Sequence, residues 1–175
     1  ILVLDAGGTG IRALLFDGCG EIVSRDFEET PALHPAPGAT EFSPDELFGA
    51  LMVVLHRALA RIEDPERSIA AIGITNQRAS FCLWHRDTGK PLTNLISWQD
   101  VRAADTADLM NRNIAWRLLK RFARVAKTVT RSALLTATSM LRITTDHDTC
   151  RLRWLLDADP HLRGMCERGE VMFGT

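Results

Sequence analysis

Short apolar runs separated by small residues dominate the beginning of the chain. Ile1–Asp5 opens with four apolar side chains, and Ile11–Asp17 is a second, mainly apolar run. Between them lie five small residues, Ala6–Gly10, which predict a turn almost free of side chains. Apolar runs of this length bounded by glycine are typical of β-strands. A looser alternation over Gly20–Glu29 predicts a third strand, so this part of the chain is expected to form an antiparallel meander.

Helical spacing replaces this pattern after a proline-rich stretch. Residues 30–42 contain three prolines and a glycine and are predicted to be a loop. The sequence Ser43-Pro44-Asp45-Glu46 is a capping box with proline at the first helical position. The apolar residues that follow recur at helical intervals, which predicts a helix that ends near Asp64-Pro65 and packs one face on the sheet.

The next apolar stretch, Ile69–Thr75, is short and contains several β-branched residues. That composition predicts a strand buried on both faces. Two further strands, Ser80–His85 and Leu92–Trp98, flank the turn sequence Asp87-Thr88-Gly89-Lys90 and are predicted to pair as a hairpin. The remaining segments are predicted to be helices over 103–109, 112–131, 150–156 and 160–168, a loop over 132–147 and a strand over 171–175.

Composition narrows the class of protein. Of the 175 residues, 46% are hydrophobic and 25% are charged, as in soluble globular domains. The formal net charge is −1, so no overall field attracts nucleic acid or an acidic membrane. The four cysteines are scattered, which indicates free thiols in a reducing compartment and hence a cytoplasmic protein. The chain shows no signal peptide or transmembrane run. It does not begin with Met, and Val171–Thr175 resembles a strand cut off at its end, so we expect a fragment.

One segment departs from the even balance of charge. Residues 112–131 hold seven basic residues and no acidic one. A nucleic-acid patch would explain the charge, but no set of aromatic residues that could stack on bases accompanies it. Apolar residues recur at helical spacing between the basic ones. The pattern favours a solvated helix face, and neither nucleic acid nor a membrane is expected as a partner.

The turn between the first two strands is the best candidate for chemistry. Its three glycines can adopt positive φ, and successive N–H groups in such a turn suit phosphate oxygens. Thr9 adds a hydroxyl donor, and Arg12 adds a positive charge. Asp5 adds a carboxylate that can hold Mg²⁺ directly or through water.

Other interpretations of this turn are weaker. Gly8-x-Gly10-x-x-Ala13 matches the loose dinucleotide fingerprint, which requires a helix directly after the glycines. The run Ile11–Asp17 is too short for that helix. No Gly-Lys-Ser/Thr follows, which excludes a Walker loop. A glycine-rich hairpin that binds no ligand stays open as an alternative.

Two other segments hold side chains suited to a hydroxylated ligand. Asn76-Gln77-Arg78 follows a predicted strand at its carboxyl end, where α/β sheets place their ligands. Trp98-Gln99-Asp100 follows the second hairpin. A guanidinium can donate to two hydroxyls while an indole packs on C–H faces, so Arg78 with Trp98 would suit a polyol.

Together these motifs resemble the FGGY family of carbohydrate kinases. Asp5-Ala-Gly-Gly-Thr-Gly-Ile-Arg12 is similar to the phosphate-binding hairpin of that family. Similarity to the glycerol kinase branch is carried by Gly73–Arg78, Asp87–Pro91, Ser97–Asp100, Leu152–Asp157 and Glu167–Thr175. Little similarity is seen near 110–145.

The resemblance implies an α/β fold of the actin/hexokinase-like (ribonuclease H-like) ATPase class. The mixed sheet would hold an antiparallel β-meander and then parallel strands flanked by helices. Residues 1–175 would be part of the N-terminal FGGY kinase domain, with the rest of this lobe and the second lobe outside the chain. The implied activity is ATP-dependent phosphorylation of a sugar or polyol hydroxyl, with ATP and Mg²⁺ as cofactors. The resemblance is also compatible with a homo-oligomer of the full-length protein.

The resemblance also implies roles for individual residues. Contacts with the nucleotide phosphates would come from Gly8, Thr9, Gly10 and Arg12, and the metal would lie beside Asp5. The substrate site would include Arg78, Ala79, Trp98 and Asp146. No catalytic residue is expected within the chain, because the general-base aspartate of the family would lie beyond Thr175. The chain alone is therefore expected to be inactive.

Two of these positions depart from the glycerol kinase pattern. Glycerol kinases have a substrate-binding glutamate where this chain has Ala79, and a substrate-contacting tyrosine where it has Asp146. Without both partners glycerol hydroxyls would be left unpaired, so a larger sugar or polyol is an alternative substrate. Ala79 also leaves open a non-catalytic sugar-sensing or scaffolding lobe of the same fold. An Hsp70-like ATPase lobe agrees less well with Arg78 and Trp98.

Overall fold

The computed structural model describes residues 1–175, which form eight strands and seven helices. The strands are β1 (Leu2–Ala6), β2 (Gly10–Phe16), β3 (Ile22–Glu29), β4 (Glu41–Phe42), β5 (Ile72–Asn76), β6 (Cys82–His85), β7 (Leu95–Ile96) and β8 (Val171–Gly174). The helices are α1 (Pro44–Leu59), α2 (Pro65–Ser68), α3 (Ala104–Arg112), α4 (Ile114–Thr130), α5 (Ala133–Met140), α6 (Asp148–Ala158) and α7 (Pro160–Glu167). None of these helices combines the length and the apolar composition that crossing a bilayer demands.

The main sheet has four strands in the order β3-β2-β1-β5. β1, β2 and β3 pair antiparallel in sequence order, which confirms the predicted meander. β5 pairs parallel with β1, so the sheet is mixed. Because β2 follows the glycine-rich turn directly as a strand, the dinucleotide-binding interpretation is wrong.

Helix α1 covers one face of this sheet. Leu2 and Leu4 of β1 alternate with outward positions and are buried, as are Ile11 on β2 and Val54 on α1. The predicted cap is confirmed, since the Ser43 hydroxyl accepts the Glu46 N–H at 3.3 Å. The helix ends at Leu59, earlier than the sequence indicated, and Asp64 caps the separate short helix α2.

Strand β5 is more exposed than its apolar sequence predicted. Ile72 and Ile74 are 57% and 75% exposed rather than buried. Their register with Leu2 and Leu4 directs them to the face that α1 covers, but α1 packs over β2 and β3 and leaves the edge strand uncovered. The prediction of a strand covered on both faces is therefore wrong for this chain.

The predicted second hairpin is right in part. Residues 80–98 do double back, with bridges from Phe81 to Ile96 and from Trp84 to Pro91. The regular ladders form elsewhere, because β6 pairs with β8 and β7 pairs with β4. Packing against α7 explains the arrangement, since Phe81, Leu83 and Ile96 share one buried cluster with Leu162.

The segment 132–147, predicted to be a loop, contains helix α5. Arg131 ends α4 in the left-handed conformation (φ 50°), and the Ser132 hydroxyl caps α5 by accepting the Leu135 N–H at 3.5 Å. The apolar side chains of α5 do not follow one buried face, as the exposure of Leu134 and Met140 shows. That weak periodicity concealed the helix in the sequence.

Candidate functional site

The turn between β1 and β2 presents an exposed backbone tip. Gly8 and Thr9 are exposed, and the Gly7 N–H donates to the Gly10 oxygen at 3.1 Å. Gly10 is buried instead, with φ 157°. A Cβ on Gly10 would lie only 2.5 Å from the Phe27 ring and would also strike the Glu28 main-chain oxygen. Gly10 is thus required by packing against β3, while Gly8 and Thr9 are free to meet a ligand.

Asp5 and Arg12 emerge from the strands on either side of this turn. They are direct cross-strand partners, and Nη1 of Arg12 lies 3.2 Å from Oδ2 of Asp5. The guanidinium also lies 5.2 Å from the centroid of the Phe27 ring, a cation–π distance. The predicted metal-side carboxylate and the predicted phosphate-side cation therefore lie together, and both are partly exposed.

The sheet register brings the end of β5 beside the turn. Ala6 pairs with Asn76, and the Gln77 N–H donates to the Ala6 oxygen at 2.9 Å. The side-chain oxygen of Gln77 is buried without a hydrogen bond, and a Cβ on Gly8 would lie 3.4 Å from it. Gln77 thus lies directly next to the glycine-rich turn.

Gln77 also belongs to the wall of a cavity of about 550 Å³. The other lining residues are the four predicted substrate-site residues, Arg78, Ala79, Trp98 and Asp146. Arg78 and Trp98 are both exposed, Trp98 by 48%. Ala79 adopts the left-handed conformation with φ 56°, unusual for a residue with a side chain. Residues far apart in the sequence are thus brought together in one open cavity.

The loop that carries Trp98 is held by buried polar groups. The Trp98 N–H donates to the buried Ser80 hydroxyl at 3.1 Å. Asp100 is fully buried and accepts hydrogen bonds from the Thr40 N–H at 3.1 Å and from Nε of Arg102 at 2.9 Å. Burial by itself lowers the pKa of the Arg102 guanidinium. Hydrogen bonds to Asp100 and Glu41 outweigh that effect, so the pKa lies above its ordinary value. These hydrogen bonds anchor the loop that carries Trp98.

Arg151 on α6 connects the walls of the cavity, and it was not singled out from the sequence. Its side chain is fully buried and donates to the main-chain oxygens of Ala79, Ser97 and Asp146. Nη2 also lies 3.1 Å from Oδ1 of Asp148. Burial lowers the pKa of this guanidinium, while the nearby carboxylates oppose that effect. A signal was available, since Arg151 shares the helical spacing of the inward-facing Leu155.

Asp146 contributes a carboxylate to the cavity. It accepts a hydrogen bond from the Thr144 hydroxyl, which is the main reason that its pKa lies below the ordinary aspartate value. The charges of His147 and Arg151 act in the same direction. Asp146 is therefore an ionised hydrogen-bond acceptor at neutral pH.

Sequence comparison relates the whole chain to known kinases. The family model described as the FGGY family of carbohydrate kinases, N-terminal domain, matches residues 1–167. Over 175 residues the chain is 33% identical to glycerol kinase 5 of Xenopus laevis and 38% identical to glycerol kinase of Burkholderia cenocepacia. These matches cover 100% of this chain but 36% and 32% of the two relatives. The chain thus spans about a third of the length of the curated relatives it matches.

Solved structures show the same fold. Glycerol kinase of Plasmodium falciparum, solved with ADP, superposes with a TM-score of 0.79 and 20% identity over 99% of this chain and 32% of its own. Xylulose kinase of Rhodospirillum rubrum gives a TM-score of 0.70 and 22% identity, covering 94% of this chain and 31% of its own. The mixed α/β sheet is therefore of the actin/hexokinase-like class. On the match over residues 1–167, this chain belongs to the FGGY family of carbohydrate kinases.

Proposed function

We propose that the full-length protein transfers the terminal phosphoryl group of ATP to a hydroxyl of a sugar or polyol. In this proposal residues 1–175 are part of its N-terminal kinase domain, with the rest of the lobe and a second lobe supplied by the remaining protein. The observation that carries the proposal is the position of Gln77. It lies beside Gly8 and also lines the cavity with Arg78 and Trp98. Phosphoryl transfer requires a phosphate site and a hydroxyl site in such proximity.

The glycine-rich turn is the proposed phosphate site. The exposed main-chain groups of Gly8 and Thr9 suit phosphate oxygens, and Arg12 would offset charge on the transferred group. Gly10 supports this turn through its packing against β3.

Magnesium is expected with ATP, and the donor set of this chain fits a limited role in holding it. No group of three or more His, Cys, Asp or Glu side chains is arranged to hold a metal ion by itself. Mg²⁺ commonly uses one or two protein carboxylates together with phosphates and water. Asp5 would supply such a carboxylate, and the ion would neutralise charge on the phosphates when bound.

The cavity is the proposed substrate site. The guanidinium of Arg78 would donate to hydroxyls, the indole of Trp98 would pack on C–H faces, and ionised Asp146 would accept from a further hydroxyl. Ala79 takes up little of the cavity, so a substrate larger than glycerol fits this proposal. The lowered pKa of Asp146 makes it a weak proton acceptor, and Asp5 is already paired with Arg12. We therefore assign the general base to a part of the protein outside this chain.

The test is ATP consumption by the full-length protein with a panel of polyols and ketoses. We expect turnover with at least one of them, and at least about a tenfold loss of kcat/KM for Arg78→Ala through lost hydrogen bonds to the substrate. Arg86→Ala, an exposed arginine outside the cavity, is the matched control and should retain full activity. Absence of turnover with every compound would refute the kinase proposal.

A second candidate function, a non-catalytic sugar-sensing or scaffolding lobe, is favoured by Ala79, which stands where glycerol kinases have a substrate-binding glutamate. Isothermal titration with the same compounds, compared with the ATP-consumption assay, separates the two functions, because a sensor would bind a sugar or polyol without consuming ATP. Ala79→Glu adds a further comparison. If the cavity is a substrate site, the added carboxylate should change which hydroxyl compounds are preferred, by about tenfold or more.

A further inference from the structure

Helix α4 presents an exposed apolar stripe that the proposed function does not use. The stripe consists of residues spaced along one side of the helix: Ile114, Leu118, Phe122, Val125 and Val129, here called the α4 stripe. Their exposed fractions run from 58% to 82%. The sequence predicted a solvated basic face, and the structure shows that the apolar face is solvated as well. The opposite side of α4, at Ala123, is the buried one.

Basic residues border the α4 stripe without acidic partners. From Leu109 to Thr145 the chain has eight Lys or Arg residues and no Asp or Glu, although the whole chain carries −1. None of these basic residues forms an ion pair. Lys127 turns inward to the Ser139 hydroxyl at 3.2 Å, whereas Arg117, Arg121 and Arg124 are exposed.

Two shallow depressions join the charged and apolar parts of this surface. One, of about 210 Å³, is lined by Asn111, Arg117, Lys120, Arg121 and Arg124. The other, of about 220 Å³, is lined by Ile114, Leu118, Arg117 and Arg121. Arg117 and Arg121 line both. An anionic group in the first depression would therefore lie beside an apolar group in the second.

We propose that α4 docks on an anionic lipid surface. The α4 stripe would enter the boundary between headgroups and acyl chains, and Arg117, Arg121 and Arg124 would bind headgroup phosphates and carboxylates. A helix with an apolar face, a basic face and little overall hydrophobicity lies in the plane of such an interface. In this proposal α4 lies along the lipid surface and does not cross it.

Charge complementarity favours lipid over other occupants. Nucleic acid would match the arginines but would leave five apolar side chains in water. A protein surface over the α4 stripe would need several carboxylates to match the unpaired cations. Anionic lipid supplies the negative charge and the apolar phase together.

The experiment is co-sedimentation of the full-length protein with vesicles of phosphatidylcholine alone and of equimolar phosphatidylcholine and phosphatidylserine. We expect binding to the mixed vesicles only, weakened by salt. The double variant Arg121→Glu/Arg124→Glu should reduce binding at least about 25-fold, because the loss of each cation alone accounts for about fivefold. Phe122→Ser should reduce it about tenfold or more through lost apolar burial. Because these side chains are exposed, circular dichroism melts of the variants should match those of the unaltered protein.

Matched controls test whether the effect belongs to this surface. Arg25→Glu on β3 and Phe48→Ser on α1 change exposed residues of the same types and should leave binding unchanged. Lack of binding to mixed vesicles, or equal binding by all variants, would overturn the proposal. So would a change of oligomeric state in Phe122→Ser, which would assign the α4 stripe to a protein contact. Binding of inorganic phosphate or a DNA duplex that depends on Arg121 and Arg124, without vesicle binding, would overturn it as well.

Discussion

Asp5 on β1 and Arg12 on β2 face each other across the glycine-rich turn, with Oδ2 of Asp5 3.2 Å from Nη1 of Arg12. Both side chains are about one-third exposed, so their pairing contributes at most about 1 kcal/mol to stability. The pair is better explained by the position it gives these two charged groups beside the glycine-rich turn. It holds a carboxylate and a guanidinium side by side next to the proposed phosphate site.

Replacement of Arg12 separates a role in phosphate binding from a role in stability. For Arg12→Gln in the full-length protein we expect about a tenfold loss of ATP affinity, because one charge-assisted contact to phosphate is removed. The melting temperature should change little, since only a partly exposed ion pair is lost. Isothermal titration and a thermal melt measure the two quantities.

The matched control for that replacement is Arg57→Gln. Arg57 pairs with Glu28 at 2.8 Å and is similarly exposed, but it lies on α1. The Arg57→Gln variant should therefore have unchanged ATP affinity. If both variants lose ATP affinity equally, or neither does, Arg12 has no specific role at the phosphate site.

Gly10 is predicted to be essential for the fold of the turn. In Gly10→Ala the new Cβ would collide with the Phe27 ring and the Glu28 oxygen, so β2 and β3 would have to separate. We expect a loss of about 2 kcal/mol or more in the free energy of unfolding. Gly18→Ala, where nothing lies within 4 Å of the new Cβ, should be nearly neutral. Urea denaturation compares them, and equal stabilities would show that the strands accommodate the methyl group.

The sequence predicted the meander and the α1 cap because each depends on local signals, whereas Ala79 and Asp146 were assigned from the family resemblance. Glycine between two apolar runs requires a turn, and Ser43 followed by Pro44 fixes a helix start. The motifs around Arg78 and Trp98 are likewise short and continuous. Their convergence in one cavity follows from the pairing of β5 with β1 and from the loop base at Asp100.

Features that depend on distant contacts were not predictable in this way. The exposure of Ile74 reflects where α1 lies over the sheet, which the strand sequence does not encode. The pairing of β6 with β8 joins segments far apart in the chain. Arg151 resembles any charged helix residue until the three main-chain oxygens around it are known. The α4 stripe has the spacing of a buried face, and only the structure shows it to be exposed.

Thr144 is predicted to set the protonation of Asp146. Because the folded state lowers the pKa of Asp146, this carboxylate adds stability above its ordinary pKa, and that contribution is lost as the pH falls through the lowered value. Thr144→Val removes the hydroxyl donor and should raise the pKa of Asp146 toward its ordinary value. A carbon-detected NMR titration of the Asp146 carboxyl measures this, with Thr145→Val as the neighbouring control. An unchanged pKa in Thr144→Val would assign the effect to His147 and Arg151 instead.

Arg151 is predicted to determine the shape of the cavity through its bonds to Ala79 and Ser97. Arg151→Met would leave buried main-chain oxygens without donors and should cost about 3 kcal/mol of unfolding free energy. Arg151→Lys keeps the charge, but one ammonium group cannot reach the oxygens of both Ala79 and Ser97 as the forked guanidinium does. We therefore expect Arg151→Lys to retain only part of the stability that Arg151→Met loses. In full-length Arg151→Lys, hydrogen exchange should become faster at the amides of Phe81 and Trp98, while the β1 amides stay protected. Arg153→Lys on the same helix, an exposed residue paired with Asp157, should change neither quantity. Unchanged exchange at the cavity walls in Arg151→Lys would show that the buried guanidinium stabilises α6 without shaping the site.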